Sequence, residues 1–582
     1  MKLSTAESPL FAYEFEGFVV DSATRSLMRS GERVPLTPRV FDTLLYFVRN
    51  SGRVLEKDEL IRAVWPDGFV EENNLNQNVS VLRRALGEAR GDNRFIVTVP
   101  GHGYRFAANV VERPGTKAGH HARIIAVLPF KPLMEQHRDE ALELGMADSL
   151  IMRLSNSHEL VVRPLTSVRR YNGIEQDACA AGRELGVESV LDGRIQRWGN
   201  RIRVTADLLR VDDGVTQWSG IFDEDSTDLF AVQDSISVRV AVALALTLSA
   251  EEKQGLTRRY TANTEAYELY IQGRFHWSRL TPPEIKRSIG FFERAIADDP
   301  SFALPYSGLA EAYRSLPMTS EASAAEVFPR ANEAVEKALA LDASLVDAHA
   351  SRAIIRAWHQ WDWEGALAEA RLAITLNPNS SEAHRALGLV LSHLGRVPEA
   401  ITESEIARAL DPLALLTRTH ESLYLYYAHQ PLPAIAKLQI TLELEPTFWI
   451  ALLTLAKVYV LQGRLEDALA ELAKARQSSG GNSQVIALAG FALAVAGDEE
   501  GALEMLAELR ANSQGRYVPP FSFAVIYNGI GDDEETLNWL ERSMVERDSL
   551  LAAFVNVDPI WDRFRDMSRF RAILSRMRLL AE

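Results

Sequence analysis

The stretch NNLNQNVSVLRRALG, residues 73–87, places five side-chain amides in six positions ahead of an arginine pair. Asn and Gln can pair bidentately with an adenine edge, Arg with guanine, and an apolar tip such as Val81 can touch a thymine methyl, so these residue types suit readout of a nucleic-acid groove. An exposed, amide-rich helix start could also serve only capping and solvation. Spacing decides which side chains are available. Leu75, Val79, Leu82 and Leu86 fall at i, i+4, i+7 and i+11, a single stripe that predicts burial and turns Asn74, Gln77, Asn78, Ser80, Val81 and Arg84 outward.

Patterns for other chemistry are near misses. HELVV and HESLY lack the second His of a metalloprotease helix, GHGYRF lacks a third Gly, no Gly-rich loop ends in Lys-Ser or Lys-Thr, and no G-x-S-x-G elbow occurs. The sequence therefore predicts neither an enzyme nor a cofactor. The pair His120–His121 reads as incidental, and the acidic run DEDSTD from Asp223 reads as a capped, solvated helix start.

Charge is unevenly spread. A formal net charge of -16 argues against DNA for the chain as a whole, yet residues 1–113 hold fifteen basic and fifteen acidic residues and net to zero. Between Asn73 and Arg105, Arg83, Arg84, Arg90, Arg94 and Arg105 face only Glu88 and Asp92, the local basic strip a nucleic-acid site needs. The lone Cys179 excludes an intramolecular disulfide. The longest apolar run, VAVALALTL from Val240, falls short of the roughly 18 residues of a membrane span, so a cytoplasmic protein without a membrane partner is expected.

The elements around the amide helix must hold it. FAYEFEGFVVDSATRSLMRSGERVPL alternates aromatic and β-branched residues between Gly and Ser, which predicts short antiparallel strands. In LTPRVFDTLLYFVRNSG, Thr37 stands as N-cap, Pro38 as first helical residue and Gly52 beyond the end, with Val40, Leu44, Leu45 and Val48 on one face. A shorter helix runs from about Lys57 to Trp65, and RFIVTVPGHGYRFAANV predicts a hairpin turning at PGHG.

Through LTPRVFDTLLYFVRNSGRVLEKDELIRAVW, NVSVLRRALG and IVTVPGHGYRF, residues 8–110 resemble the OmpR/PhoB-type winged-helix DNA-binding domain. The resemblance implies that the third helix enters the major groove of double-stranded DNA and that the hairpin wing reaches the adjacent minor groove. Arg83, Arg94 and Arg105 then serve phosphates or internal pairing. The wing departs from the family pattern, carrying Pro100 and His102 where members often have arginine, so His102 is a weak minor-groove contact at neutral pH.

Residues 111–121 read as a polar Pro/Gly linker. From 122 to 250, strand and helix patterns alternate and end in a three-strand meander around WGNR and VDDG. IAVLPF, RELGVESVLDGRI and RVTADLLRVDDGVTQWSGIFDED resemble a TolB-like α/β domain.

From 264 to 550 a 34-residue period governs the sequence: Pro378, Pro412 and Pro446 close successive units. In units starting at Asp347, Ser381, Leu415, Trp449, Ser483 and Tyr517, the twentieth position is Ala366, Ala400, Ala434, Ala468, Ala502 and Thr536. A small residue where two helices cross and Pro at the unit end is the tetratricopeptide pattern. Two irregular units precede these six, and residues 551–582 read as a cap. Positions 5, 9, 12 and 13 of each first helix share a face, which offers Trp358, His359, Arg385, His393, Tyr426, Tyr427 and Lys457 as a groove for a protein or peptide partner. The same aromatics could instead pack between repeats. His359 and His393 share a repeat position but lack a third metal ligand.

The fold expected is multidomain and mainly α: an α+β winged helix, a central α/β domain and a C-terminal tetratricopeptide α-solenoid. The function expected is a one-component, sequence-specific transcriptional regulator resembling CadC-type regulators without the membrane span, with RNA polymerase and a second copy on DNA as further partners. The alternative is an assembly scaffold whose winged helix binds protein.

Overall fold

The structure is a computed structural model that describes every residue except 1–10, 22–25, 30–31, 35, 37, 65–71, 89–91, 93, 100–102, 109, 115–122, 133–137, 156, 158, 200, 226–228, 245, 247–259, 278–280, 320–321 and 581–582. Two compact units divide the chain, residues 1–122 and 123–582.

In the first unit, strands β1 (Phe11–Phe15), β2 (Phe18–Asp21), β3 (Ser26–Arg29) and β4 (Glu32–Val34) form an antiparallel meander. Then come α1 (Pro38–Arg49), β5 (Val54–Glu56), α2 (Lys57–Val64), α3 (Glu72–Ala85), β6 (Ile96–Val99), β7 (Gly103–Phe106) and β8 (Val111–Pro114). Strands β5, β7 and β6 make a three-stranded antiparallel sheet. The linker expected from residue 111 starts later, because β8 closes the first sheet by pairing antiparallel with β1, Phe11 opposite Pro114. An edge strand that ends on proline forfeits no ladder hydrogen bond it needs, which is why composition misread it.

The core of this unit joins both sheets to the helices. Phe15 lies with its ring centroid 5.4 Å from Phe18, 5.6 Å from Phe95 and 5.0 Å from Phe106. From α1, Val40, Phe41, Leu44, Phe47 and Val48 are buried, whereas Leu45 is only half-buried, so the phenylalanines take the place expected of that leucine. Gly103 is required at the start of β7: its φ is +146°, and a Cβ there would stand 2.0 Å from the Leu55 carbonyl oxygen.

The second unit opens with β9 (Arg123–Val127), β10 (Lys131–Pro132), α4 (Glu140–Leu154), β11 (Leu160–Val162), α5 (Leu165–Val168) and α6 (Ala178–Leu185). The meander β12 (Ser189–Trp198), β13 (Arg201–Arg210) and β14 (Thr216–Asp225) follows, then α7 (Leu229–Ala243). Strand order is β11-β9-β12-β13-β14, parallel up to β12 and antiparallel beyond it. Asp177 caps α6 by accepting from the amides of Cys179 and Ala180, and Gly186 ends it in the left-handed conformation.

Helix pairs then stack. Two irregular pairs, Thr264–Trp277 with Pro282–Asp298 and Ala303–Ser315 with Ala324–Leu341, precede six units that keep the period. The crossing residues Ala366, Ala400, Ala434, Ala468, Ala502 and Thr536 are all 0% exposed, so any larger side chain would wedge each pair apart. The fifteenth position turns the chain between paired helices at positive φ in all six units: Trp361, Gly395, His429, Gly463, Gly497 and Gly531. Two units thus hold a left-handed backbone without glycine.

The sheet domain is joined to the repeats by buried polar groups. Arg163, on the strand end after β11, donates to the carbonyls of Ala409 and Leu410 at a helix C-terminus, where cations are favoured. Asp411 accepts from Ser167 and Thr166, and Asn377 and Asn379 donate to the carbonyls of Ser155 and Leu160. Gly145 lets α4 meet the helix Thr264–Trp277, since a Cβ there would lie 2.4 Å from Ile271.

Candidate nucleic-acid interface

Helix α3 is fixed by its apolar seam. Leu75, Val79, Leu82 and Leu86 are each 2% exposed or less, packed with α1 and the wing sheet. That orientation leaves Gln77, Ser80 and Arg84 exposed at i, i+3 and i+7, one ridge of the helix, and among the described residues they have no hydrogen-bond or ion-pair partner. Val81 beside them is half-buried against the core.

The other expected contacts divide. Asn78 is not free: its amide donates to Thr43 Oγ1 at 3.1 Å and to the Arg39 carbonyl at 3.3 Å, tying α3 to α1. Arg83 donates to the Ile96 carbonyl and to Thr98 Oγ1, both at 2.8 Å, and faces the buried Glu88 carboxylate at 3.6 Å. Glu88 in turn accepts from the amides of Phe95 and Ile96, so this pair clamps the chain between α3 and β6. Arg94 pairs with Glu16 and lies 5.1 Å over the Phe95 ring. Arg105 is exposed on β7. The side chain of Asn74 and all of His102 lie outside the described residues.

Sequence reasoning missed one wing contact. Tyr104 on β7 donates its hydroxyl to Asn76 Oδ1 at 2.6 Å, so one of the five amides holds the wing to α3. The signal was present, since Tyr104 sits two positions from Phe106 on the same inward face of a strand, and a buried tyrosine needs a partner for its hydroxyl.

The repeat groove differs from expectation: it is not an open surface. Trp358, Arg385, His393, Tyr426 and Tyr427 are each 8% exposed or less, and His359 and Lys457 are half-buried. The chain's own C-terminal segment fills the space. Arg547 donates to the His359 carbonyl at 2.7 Å, Asn556 to the His393 carbonyl at 2.9 Å, and Tyr426 and Lys457 both donate to the fully buried Asp558 carboxylate at 2.7 Å. Arg385 bonds Glu382 through two nitrogens; burial opposes its charge, and that carboxylate more than offsets the effect. Burial pushes His393 down to about 3, leaving a neutral ring that accepts from Trp358 Nε1 at 3.0 Å. His359 is lowered by burial and by nearby Arg547. Burial raises Tyr426 and Tyr427 well above the usual phenol range. Among the described residues no cluster of three or more His, Cys, Asp or Glu could hold a metal, and no helix is long and apolar enough to cross a membrane.

Two family models match the chain, one described as transcriptional regulatory protein, C terminal, over residues 31–106 and the other as HilA/YgeH-like transcriptional regulator, second domain, over residues 121–239. The first unit carries a transcriptional regulator's winged helix. Transcriptional regulator HilA of Salmonella typhi is 24% identical over 404 residues, 69% of this chain and 70% of that protein. Transcriptional activator CadC of Escherichia coli is 35% identical over 16% of this chain and 19% of that protein; its solved DNA-binding domain, 31% identical, covers 19% of this chain and all of that one at a TM-score of 0.17. A protein named putative adenylate cyclase 3, from Rhizobium meliloti, is 31% identical over 32% of each chain. The first match spans β4 to β7, and the second runs over the sheet domain from β9 into α7.

Proposed function

We propose that this chain regulates transcription by setting α3 of its winged helix into the major groove of duplex DNA. The observation that carries the reading is the ridge Gln77, Ser80 and Arg84: polar, exposed, without partners among the described residues, and on a helix whose opposite face is locked into the core. Arg84 offers the bidentate fork that guanine requires, Gln77 the amide that suits adenine, and Ser80 a short hydroxyl. Arg105, on the wing, is placed for a phosphate. Arg83, Arg94 and Asn78 act by positioning, since each is already bonded inside the unit.

In this reading the protein works in the cytoplasm as a one-component regulator and acts by binding rather than catalysis. The repeats carry the signal, through a protein or peptide partner, to a polymerase or to a second copy on the same operator.

The test is binding of the purified chain to genomic fragments it selects, followed by anisotropy titration. Affinity is expected to fall steeply with salt, because each phosphate contact releases counterions. Arg84→Ala is expected to cost about 1–3 kcal/mol on a selected site and to relax preference at one base pair. Unchanged affinity and preference would remove Arg84 from the reading face, and binding without salt dependence would favour a scaffold.

A further inference from the structure

The segment Arg547–Phe564 begins at the end of the sixth regular unit and runs past it, and it meets the first helices of the first, second, third, fourth and sixth units in order. Arg547 bonds the carbonyl of His359 in the first regular unit and stacks 4.1 Å over Trp361. Asn556 bonds His393 of the second. Asp558 takes Tyr426 of the third and Lys457 of the fourth. The Ile560 carbonyl accepts from Asn528 of the sixth at 2.7 Å. Two short helices, Ser549–Phe554 and Pro559–Phe564, make up most of the segment. Successive parts of one segment meeting successive repeats is how a bound peptide lies in a solenoid groove, and main-chain carbonyls with a few anchoring side chains are how it is held.

We infer that Arg547–Phe564 is a built-in ligand of the repeat groove, and that an external partner enters by competing with it, presenting a carboxylate followed closely by an aromatic residue, as in Asp558-Pro559-Ile560-Trp561. The anchor chemistry is specific. Asp558 is 0% exposed, its two oxygens are taken by a phenol and an ammonium, and the ammonium also lies 4.1 Å from the centre of the Phe554 ring. A neutral residue at that place would leave the half-buried Lys457 without its counter-charge. Trp561, also 0% exposed, packs edge-on against Phe521 at 5.3 Å and supplies the apolar anchor. The inference concerns the repeats alone and stands or falls separately from the reading of α3.

The test weakens the ligand and keeps the groove. The full chain carrying Asp558→Asn is mixed with a labelled peptide copying residues 547–564. That variant is expected to bind the peptide at least about tenfold more tightly than the wild-type chain does, since the internal competitor has lost its charge pair. The same peptide made with Asp558→Asn is expected not to bind. Hydrogen exchange of the variant is expected to rise at 547–564 and to stay unchanged in the helices from 363 to 545. A variant that exchanges faster at 547–564 but takes up no peptide would overturn the inference. Should the variant not fold, native-state exchange of the wild-type chain in mild denaturant decides: opening of 547–564 before the repeats supports a displaceable ligand, and opening together with them makes the segment ordinary core.

Discussion

Helix α3 and the repeat groove began as two similar surfaces, each a set of polar or aromatic side chains on one helical face. They end differently. On α3 the reading face is small and polar, and Gln77, Ser80 and Arg84 remain exposed; in the groove, Trp358, His393, Tyr426 and Tyr427 have been covered by the chain's own end. Side-chain chemistry accounts for the divergence. Amides and a guanidinium lose little by facing water, whereas a row of indole and phenol rings leaves apolar area exposed until something covers it, and the tethered C-terminal segment is always at hand.

That contrast predicts that groove substitutions change stability and that α3 substitutions change binding. The largest effect is expected from Lys457→Met, which leaves the Asp558 carboxylate buried with only the Tyr426 hydroxyl and the Ile560 amide to answer it: a loss of about 3–5 kcal/mol in the hold on residues 547–564, read as faster hydrogen exchange there, with DNA affinity unchanged. Next is His393→Gln. The folded chain keeps His393 neutral down to about 3, while the unfolded chain takes up a proton near 6.5. Stability contributed by the neutral ring is therefore full above 6.5 and is lost as pH falls below it, by about 2 kcal/mol at pH 5. The glutamine variant should show a slope smaller by that amount when unfolding is followed between pH 7 and 5, His420, which burial also pushes down to about 3, keeping its own share. His429→Gly, at a left-handed turn, should gain about 0.5–1 kcal/mol, seen as a higher melting temperature. Smallest of all, Gln77→Ala should leave stability within about 0.5 kcal/mol and yet shift the base preference of selected DNA. Loss of stability at Gln77, or loss of DNA binding at Lys457, would erase the distinction between the two surfaces.

Much of this was legible in residue order. The seam Leu75, Val79, Leu82 and Leu86 is buried as its spacing required, because one helical stripe cannot face two ways. The small residues at the twentieth repeat position are all inside, and glycine at Gly395, Gly463, Gly497 and Gly531 marked a turn that Trp361 and His429 also make. What periodicity could not reach was pairing between distant segments. Nothing local in Asn76 or Asn78 distinguishes an amide that bonds Tyr104 or Thr43 from one that stays free. The strand at Val111–Pro114 was hidden by its proline. Closure of the groove depends on Asp558 meeting Lys457, 101 positions away, and a repeat register that stops near residue 550 gives no hint of where the remainder goes.

The bonds that Arg163 makes to the carbonyls of Ala409 and Leu410 have a practical corollary for anyone dissecting the protein. Scission between residues 244 and 260 would strand that guanidinium, and would part Asp148 from Arg274, which faces it at 3.6 Å in a place where burial already raises the aspartate toward its neutral form. Either fragment would then carry raw polar wounds and tend to clump. A cut near residue 120 severs neither bond, so residues 123–582 are the smallest piece worth expressing without the winged helix.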